Sequence, residues 1–385
     1  MWIMIIELVI ALLWMVATIS LLLIFRDRFR ALGALTPGAI REAKPPTLSI
    51  IVPARNEEAN ITNCLEGLLH QDYPREHLQI IVVDDHSDDR TATAVQVLAR
   101  EHPHLTLLIA PALPDGWRGK QNACWVAAQQ TQADWLLFLD ADTTLAPGLI
   151  SAAISEARSR QLDMLSLHPD QEMRGFWERL LMPTPLLTLM LLMDARRIND
   201  PAKKNAMANG QFILIRSEAY FSMGGHRRVR AAVLEDVALA GAVKRNGYRI
   251  AIRGGGDLIR TRMYQDLPTL WAALARNGSE LFGPLLTSFA VLNAFFSALF
   301  PVAFPLWLAA GLIQESTPTR AAAFIASTIG MLTWYAMNSI VLRKYDVPLK
   351  YLLLLPLSGF LIGLVNLHGL LQRLFRRRSW KGRRI

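Results

Sequence analysis

Three patterns of apolar and polar residues divide the chain. Residues 2–25 are apolar except at Glu7, Thr18 and Ser20, a run long enough to cross a bilayer as a helix. From residue 48 to residue 252 the apolar positions come instead in short runs. Leu48–Pro53, Leu78–Asp85, Leu105–Ile109, Leu136–Leu139, Asp163–Leu167, Asn209–Ile215 and Tyr248–Ile252 have the length and side-chain type of buried strands. Between them Ile61–Leu69, Thr91–Glu101, Gln121–Gln130 and Val237–Arg245 fit helices, and Asn246-Gly247 ends the last with a left-handed cap. Gly224-Gly225 reads as a turn. Strands alternating with helices predict an α/β fold with a mostly parallel sheet, helices covering both faces.

Two segments depart from that rhythm. Phe176–Met182 is amphipathic and residues 186–193 are almost wholly apolar, with Pro183 and Pro185 between them. The stretch is too short to span a bilayer, so it is expected to lie in the membrane interface; a core helix is the alternative. After an amphipathic run containing Trp271, the long apolar segments Leu285–Ile313, Ala321–Leu342 and Tyr351–Leu371 follow. The first holds Asn293, Pro301 and Pro305, which predict a kink or a re-entrant turn.

The first segment is expected to be an uncleaved anchor. A cleaved signal peptide would carry its basic residues ahead of the apolar run; here Arg26, Arg28 and Arg30 follow it. Their position puts the C-terminal end of the anchor in the cytoplasm.

Composition adds three limits. With 52% hydrophobic residues and positive mean hydropathy, the chain is too apolar for an ordinary soluble protein of 385 residues. The formal charge of +9 is concentrated in a tail with seven Lys/Arg and no acid between Arg373 and Arg384. Beside an apolar segment such a run faces anionic lipid, and no basic patch interleaved with aromatics suggests nucleic-acid binding. Cys64 and Cys124 form no metal or disulfide pattern, which argues against a zinc site and for a reducing compartment.

Candidate chemistry collects at one edge of the predicted sheet. In open α/β sheets the ligand lies beyond the carboxyl ends of the strands. Asp84, Asp85, Asp140 and Asp142 all fall there. Asp140 and Asp142 are spaced i, i+2, which on a strand puts both carboxylates on one face. Together they repel unless a cation joins them. A hard divalent ion, Mn²⁺ or Mg²⁺, together with a diphosphate, suits them, and Asp142 is the expected ligand. Lys120 follows Gly119 and is either a phosphate-binding cation or a surface lysine. Glu235-Asp236 opens the Val237–Arg245 helix. The pair either caps that helix or supplies a general base, with Asp236 in that role and Glu235 orienting the site.

Four motifs in order, Pro53-Ala-Arg-Asn-Glu-Glu58, Val83-Asp-Asp-His-Ser-Asp88, Asp140-Ala-Asp142 and Glu235-Asp236, resemble the inverting family 2 glycosyltransferases, which have the GT-A fold. The resemblance covers residues 46–275. Pro114-Asp-Gly-Trp-Arg-Gly-Lys120, Phe176-Trp-Glu-Arg179, Glu235-Asp-Val-Ala-Leu239 and Arg262-Met-Tyr264 are similar to membrane-bound members that glycosylate lipids. That group includes the hopanoid-associated and carotenoid-acid (diaponeurosporenoate) enzymes. The Q-x-x-R-W motif of processive polysaccharide synthases is absent.

The resemblance implies a nucleotide-sugar donor, with a UDP-hexose expected, and a lipid acceptor such as a carotenoid, hopanoid or glycolipid precursor. By it, Asp85, with Asp84 second, holds the nucleotide base. Pro53, Arg55 and Glu57 line the nucleotide pocket, Lys120 meets the diphosphate, and Asp140 contacts the ribose or the metal. Trp117, Gly210, Arg262, Tyr264 and Trp271 are placed at the acceptor side or the membrane interface. The implied layout is an anchor over 1–26, a linker over 27–46 and a transferase domain with interfacial helices over 47–280. A membrane region of two or three spans over 281–372 and a basic tail over 373–385 complete it. The protein is then expected in the inner (cytoplasmic) membrane, with its catalytic domain on the cytoplasmic side where nucleotide sugars are made. Three full C-terminal crossings would leave the basic tail outside, against the positive-inside rule, so Leu285–Ile313 is the segment expected not to cross.

Three other functions share part of this pattern. A dinucleotide oxidoreductase needs a Gly-rich turn after the first strand, and Pro53–Glu58 contains no glycine. A polyprenyl-phosphate sugar transferase shares the core and stays open as the alternative, with the Trp117-Arg-Gly-Lys120 segment and the number of C-terminal spans leaning away from it. A non-enzymatic membrane scaffold on a transferase core would have lost carboxylates, and all four sites retain theirs.

Overall fold

The central strand is Leu48–Ala54 (β1), buried on both faces, and the rest of the sheet forms around it. The structure, a computed structural model, describes residues 1–37, 45–375, 379–380 and 383–384, with side chains for all but 279–284, 379–380 and 383–384. Part of the expected linker and most of the basic tail therefore lie outside the described residues. The helix Trp2–Leu32 (α1) precedes β1. After it come Ile61–Leu69 (α2), Leu78–Asp84 (β2), Thr91–Glu101 (α3), Leu105–Ile109 (β3), Gly119–Ala128 (α4), Trp135–Leu139 (β4), Thr143–Leu145 (β5) and Leu149–Ser159 (α5). Met164–His168 (β6), Asp170–Gln171 (β7), Phe176–Leu181 (α6), Pro183–Leu192 (α7), Ala195–Asn199 (α8), Phe212–Arg216 (β8), Ser217–Ser222 (α9), Gly225–Arg228 (α10) and Glu235–Arg245 (α11) follow. The last elements are Ile250–Gly254 (β9), Ile259–Thr261 (β10), Leu267–Gln314 (α12), Pro318–Lys344 (α13) and Leu355–Leu374 (α14).

These elements form two compact units, Ala31–Glu172 with Asp194–Met263, and Met1–Arg30 with Met173–Met193 and Tyr264–Ile385. The first is α/β. Its seven-stranded sheet has the order β3-β2-β1-β4-β8-β6-β9. Neighbours pair in parallel except β8, which is antiparallel to both β4 and β6. The reversal matters for function. It starts β8 at the carboxyl edge, opposite Leu139, and so brings the Asn209–Gln211 loop to the ends of β1 and β4. The chain runs β1-β2-β3 to one side and then returns with β4 on the other. That leaves the topological switch point, where ligands bind in such sheets, at the β1/β4 crevice. Pro53 stands there. The β1–β4 ladder ends at Ile51 opposite Phe138, so the N–H that Pro53 lacks is not missed by β4.

A second sheet, β5-β10-β7, is not among the predicted elements; its strands are two and three residues long. Helix α5 is also new. Its buried face is largely alanine, with Ala152, Ala153 and Ala157 beside Leu149, Ile150 and Ile154, so its apolar contrast is weak. Within the expected linker from residue 27, α1 continues to Leu32, Gly33 takes a positive φ of 55°, and Leu35 N–H bonds Gly254 O at 2.8 Å.

The second unit is helical. Residues 173–193, placed by sequence with the transferase domain, group here. Ser358 Oγ donates to Leu180 O at 2.7 Å, and the Phe176 ring lies 5.9 Å from Tyr351. Pro183 is the first residue of α7, where its missing N–H costs nothing. Helix α12 runs 48 residues, about 72 Å at 1.5 Å per residue. The re-entrant turn expected at Pro301 and Pro305 is absent, since the helix continues through both. Trp2–Leu32, Leu285–Gln314, Pro318–Lys344 and Leu349–Leu374 are long and apolar enough to cross a membrane. Trp14 meets Phe296 and Phe300 edge-on, and its indole fills the place a side chain at Gly330 would need. Glu7, buried, faces Arg320 (Oε2–Nε 3.4 Å), whose Nη1 also donates to Gly311 O.

Candidate active site

Asp140 and Asp142 do not lie on a strand. β4 ends at Leu139, and residues 140–142 form a turn into β5. Side-chain alternation therefore does not explain why the two carboxylates share a site. The turn does, through its fastenings. Thr143 Oγ1 donates to Asp140 O at 2.8 Å, Asp140 N–H reaches Gln211 O, Thr261 Oγ1 donates to Asp142 O at 3.1 Å, and Gln211 Nε2 donates to Thr261 Oγ1 at 3.0 Å. Burial, with the Asp140 and Glu57 carboxylates, pushes Asp142 up to about 7. Burial also raises Asp140, against the opposing pull of Lys120. Asp142 Oδ1 is buried and makes no hydrogen bond. A shared negative site with a bare carboxylate oxygen fits a divalent cation. Among the described residues no group of three or more His, Cys, Asp or Glu could hold a metal ion by itself. One or two carboxylates plus substrate phosphates is the usual arrangement for Mg²⁺-type sites.

Lys120 joins this turn to α11. Its Nζ lies 2.7 Å from Asp140 Oδ1 and 2.9 Å from Glu235 Oε1. Burial alone would lower the ammonium, but the two carboxylates hold it well above its ordinary range. Conversely, burial works against the charge of Glu235, yet Lys120 holds it below its usual value. Asp236 behaves oppositely. Burial and the Glu235 charge push it up to about 7, against Lys120 and the amides of Val237 and Gly210. Adjacent carboxyls driven apart in this way take different roles, one a fixed charge and one a group that exchanges protons near neutrality. Gly210 N–H donates to Asp236 Oδ2 at 2.9 Å. A Cβ at Gly210 would stand 3.0 Å from Lys120 Nζ and 3.2 Å from Glu235 Oε1, so only glycine fits without displacing them.

On the other flank, the two loops of the predicted nucleotide pocket are laced together. Arg55 Nη1 donates to Asp85 O at 2.7 Å and lies 4.0 Å from Asp85 Oδ2. Asn56, with φ of 52°, takes Asp88 N–H on its side chain and gives its own N–H to Ser87 Oγ. Glu57 N–H bonds Thr91 Oγ1. Asp84 is buried; its Oδ2 accepts Ser87 N–H at 3.1 Å and its Oδ1 makes no hydrogen bond.

The structure thus brings Lys120, Asp140, Asp142, Gly210, Glu235 and Asp236 together, and joins Arg55 to Asp85. The acceptor candidates are divided. Trp117 N–H closes a turn on Pro114 O, and Arg262 follows β10. Tyr264 and Trp271 belong to the helical unit, where Trp271 Nε1 donates to His368 Nδ1 at 3.0 Å. Sequence reasoning did not single out Gln121, Gln211, Thr261, Asn56 or Thr91. Their side chains bond backbone groups or, for Gln211, the Thr261 hydroxyl far along the chain, which leaves no pairing signal. Arg118 had one, its place inside the Trp117–Lys120 run. His226 is no base: burial pushes it down to about 3, and its Nδ1 is tied to the Tyr220 hydroxyl at 2.9 Å. Buried Cys64, pushed up to about 12 mainly by burial, is equally inert.

Residues 49–222 match the family described as Glycosyl transferase family 2. The chain is 28% identical over 221 residues to the 4,4'-diaponeurosporenoate glycosyltransferase of Staphylococcus aureus (strain MRSA252), covering 57% of this chain and 57% of that protein. It therefore spans little more than half the length of the curated relative it matches. The mannosyltransferase PcManGT from Pyrobaculum calidifontis, solved in complex with GDP-Man and Mn²⁺, superimposes with a TM-score of 0.57 at 19% identity, covering 97% of this chain and 100% of that chain. At that identity the likeness is one of fold. A seven-stranded sheet reversed only at β8, a carboxylate turn at its switch point and the family match agree: the α/β unit is a GT-A-like domain, and its residues 49–222 match the family 2 glycosyltransferases.

Proposed function

We propose that the protein transfers a hexose from a nucleotide-sugar donor, a UDP-hexose first, to a lipid acceptor with inversion at the anomeric carbon. One observation carries this reading: Lys120 bridges Asp140 of the Asp-x-Asp turn to Glu235, the neighbour of Asp236. Donor-side charge and a proton acceptor thereby share one small site. Asp142, with Asp140, would hold Mn²⁺ or Mg²⁺. The ion, when bound, supplies positive charge to the diphosphate that leaves. Arg55, Glu57, Asp84 and Asp85 would enclose the nucleotide. Lys120 would move its charge onto the phosphates as the bond to the sugar breaks.

Asp236 would accept the proton of an acceptor hydroxyl as that oxygen attacks the anomeric carbon; the nucleoside diphosphate departs with the bonding pair. An acceptor carboxylate, as named for the Staphylococcus aureus relative, is already ionised and needs no base. Mass spectrometry of lipid extracts from cells with and without the protein tests the activity. The expected result is a lipid shifted by one hexose only where the protein is present. No shifted lipid, together with no Mn²⁺-stimulated donor hydrolysis by the purified chain, would return the scaffold reading.

The α/β unit is proposed to face the cytoplasm of an inner-membrane protein. Cys64 and Cys124 are buried, so single introduced cysteines report cleanly. Glu101→Cys, at the exposed end of α3, should resist an impermeant maleimide in intact cells and react after lysis. Reaction in intact cells would reverse the orientation. Gly382→Cys in the same assay counts the crossings: labelling from outside means that α12, α13 and α14 all cross.

A further inference from the structure

We infer that Arg118 and Gln121 are positioning residues for the transfer step, holding the stretch that carries Glu235 and Asp236. The inference rests on the base role proposed for Asp236. Residues 230–234 precede α11 and are exposed or half-buried. Left to itself such a stretch would move freely, and a base on it would sample many positions.

Here three successive carbonyls are taken by one turn of chain. Arg118 N–H donates to Arg230 O at 3.0 Å, Arg118 Nε to Ala231 O at 3.2 Å, and Gln121 Nε2 to Ala232 O at 2.7 Å. Gln121 is buried, so its amide has no water to turn toward. Lys120, between the two, grips Glu235 and Asp140. Further along α4, Trp125 lies beneath the Arg227 guanidinium. The face of α4 that meets the donor side thus also fixes the approach to the base.

Neither Arg118 nor Gln121 has a role at a reacting atom. Arg118 and Gln121 act by placing Asp236, and a base misplaced by about 1 Å can lose on the order of 10²-fold in rate. The bonds are specific in kind. Each carbonyl needs a donor, so Gln121→Glu, which keeps the shape but turns a donor into an acceptor, should repel Ala232 O. Arg118→Met keeps the length of the side chain and removes its donor, and Arg118→Lys returns one.

The test is transfer kinetics of the full-length chain in detergent, with donor binding measured by calorimetry using UDP and Mn²⁺. Gln121→Glu and Arg118→Met should each lower kcat by about 10- to 100-fold, while the dissociation constant for UDP changes by less than about threefold. Arg118→Lys should recover part of the loss. In an Asp236→Asn background the same changes should have little further effect, because the group they place is gone. Four results would overturn the inference: kcat near that of the parent in both variants, loss of UDP affinity equal to the loss of kcat, no recovery by Arg118→Lys, or an undiminished effect in the Asp236→Asn background. Two variants at separate positions keep the outcome independent of how either one folds. Full transfer by Asp236→Asn alone is a different result; it removes the base assignment itself.

Discussion

Asp236→Asn is expected to lower transfer to a hydroxyl acceptor by about 10²–10⁴-fold, the usual contribution of a positioned acid or base. That is about 3–5 kcal/mol of transition-state stabilisation. The substitution is nearly isosteric, and of the two amides that Asp236 receives on separate oxygens, Gly210 N–H on Oδ2 and Val237 N–H on Oδ1, the asparagine oxygen keeps one. The fold and the donor affinity should therefore stay close to those of the parent. The loss should fall on kcat and not on KM, because the proton moves only in the transition state. A capping role predicts the contrary, since asparagine caps helices as well as aspartate; equal transfer by variant and parent would sink the assignment. The pH profile offers a second reading. Burial and Glu235 push Asp236 up to about 7. Only its ionised form takes a proton, so kcat should climb with pH through about 7 and level off above it. The residual activity of Asp236→Asn should lack that limb. A small effect of the substitution with a flat profile would instead identify an acceptor that arrives already ionised.

Asp142→Ala should abolish Mn²⁺-dependent binding of the nucleoside diphosphate. Outer-shell partners of a metal commonly cost 10- to 100-fold when removed, so losing a direct ligand should cost at least about 10²-fold. Asp140 is poorly placed to compensate, with Lys120 Nζ only 2.7 Å away. Calorimetry of UDP with Mn²⁺ and with EDTA measures this directly. The parent should bind far better with metal, and the variant should bind equally weakly in both. A variant that keeps the metal response would show that the Asp-x-Asp turn is not the metal site. An unchanged melting temperature without ligand would separate lost binding from lost folding.

The central strands of the main sheet were legible because they are buried on both faces and read as mostly apolar runs; the edge strand β3, half-exposed, was legible from its apolar residues alone. Ile61–Leu69, Thr91–Glu101 and Leu105–Ile109 appear with the predicted limits. The direction of β8 was not legible, since an apolar run carries no sign of which way it is crossed. Yet that reversal is what delivers Gly210 to Asp236. The two-residue β7 and three-residue β5 and β10 are too short for any period to show. Charged residues of the site were visible because carboxylates at strand ends are unusual without a partner. Gln121, Gln211 and Thr261 were invisible for the opposite reason: they bond backbone or one another across long stretches of chain, and any polar residue type could have stood there in the sequence.

The Glu7–Arg320 contact has a consequence for how the protein is made. Its two members are 313 residues apart, so at 5–20 residues per second roughly 16–60 s separate their synthesis. During that interval α1 exists while its counter-ion does not. Glu7 sits only five residues from the start of the helix, near enough to its end for water to reach the carboxylate until then. The arrival of α13 then draws the acid off the water and locks the first helix to the last-made hairpin. Closure of this helical unit at its N-terminus should thereby wait for the synthesis of α13, and a chain stalled before Arg320 would hold α1 without the latch.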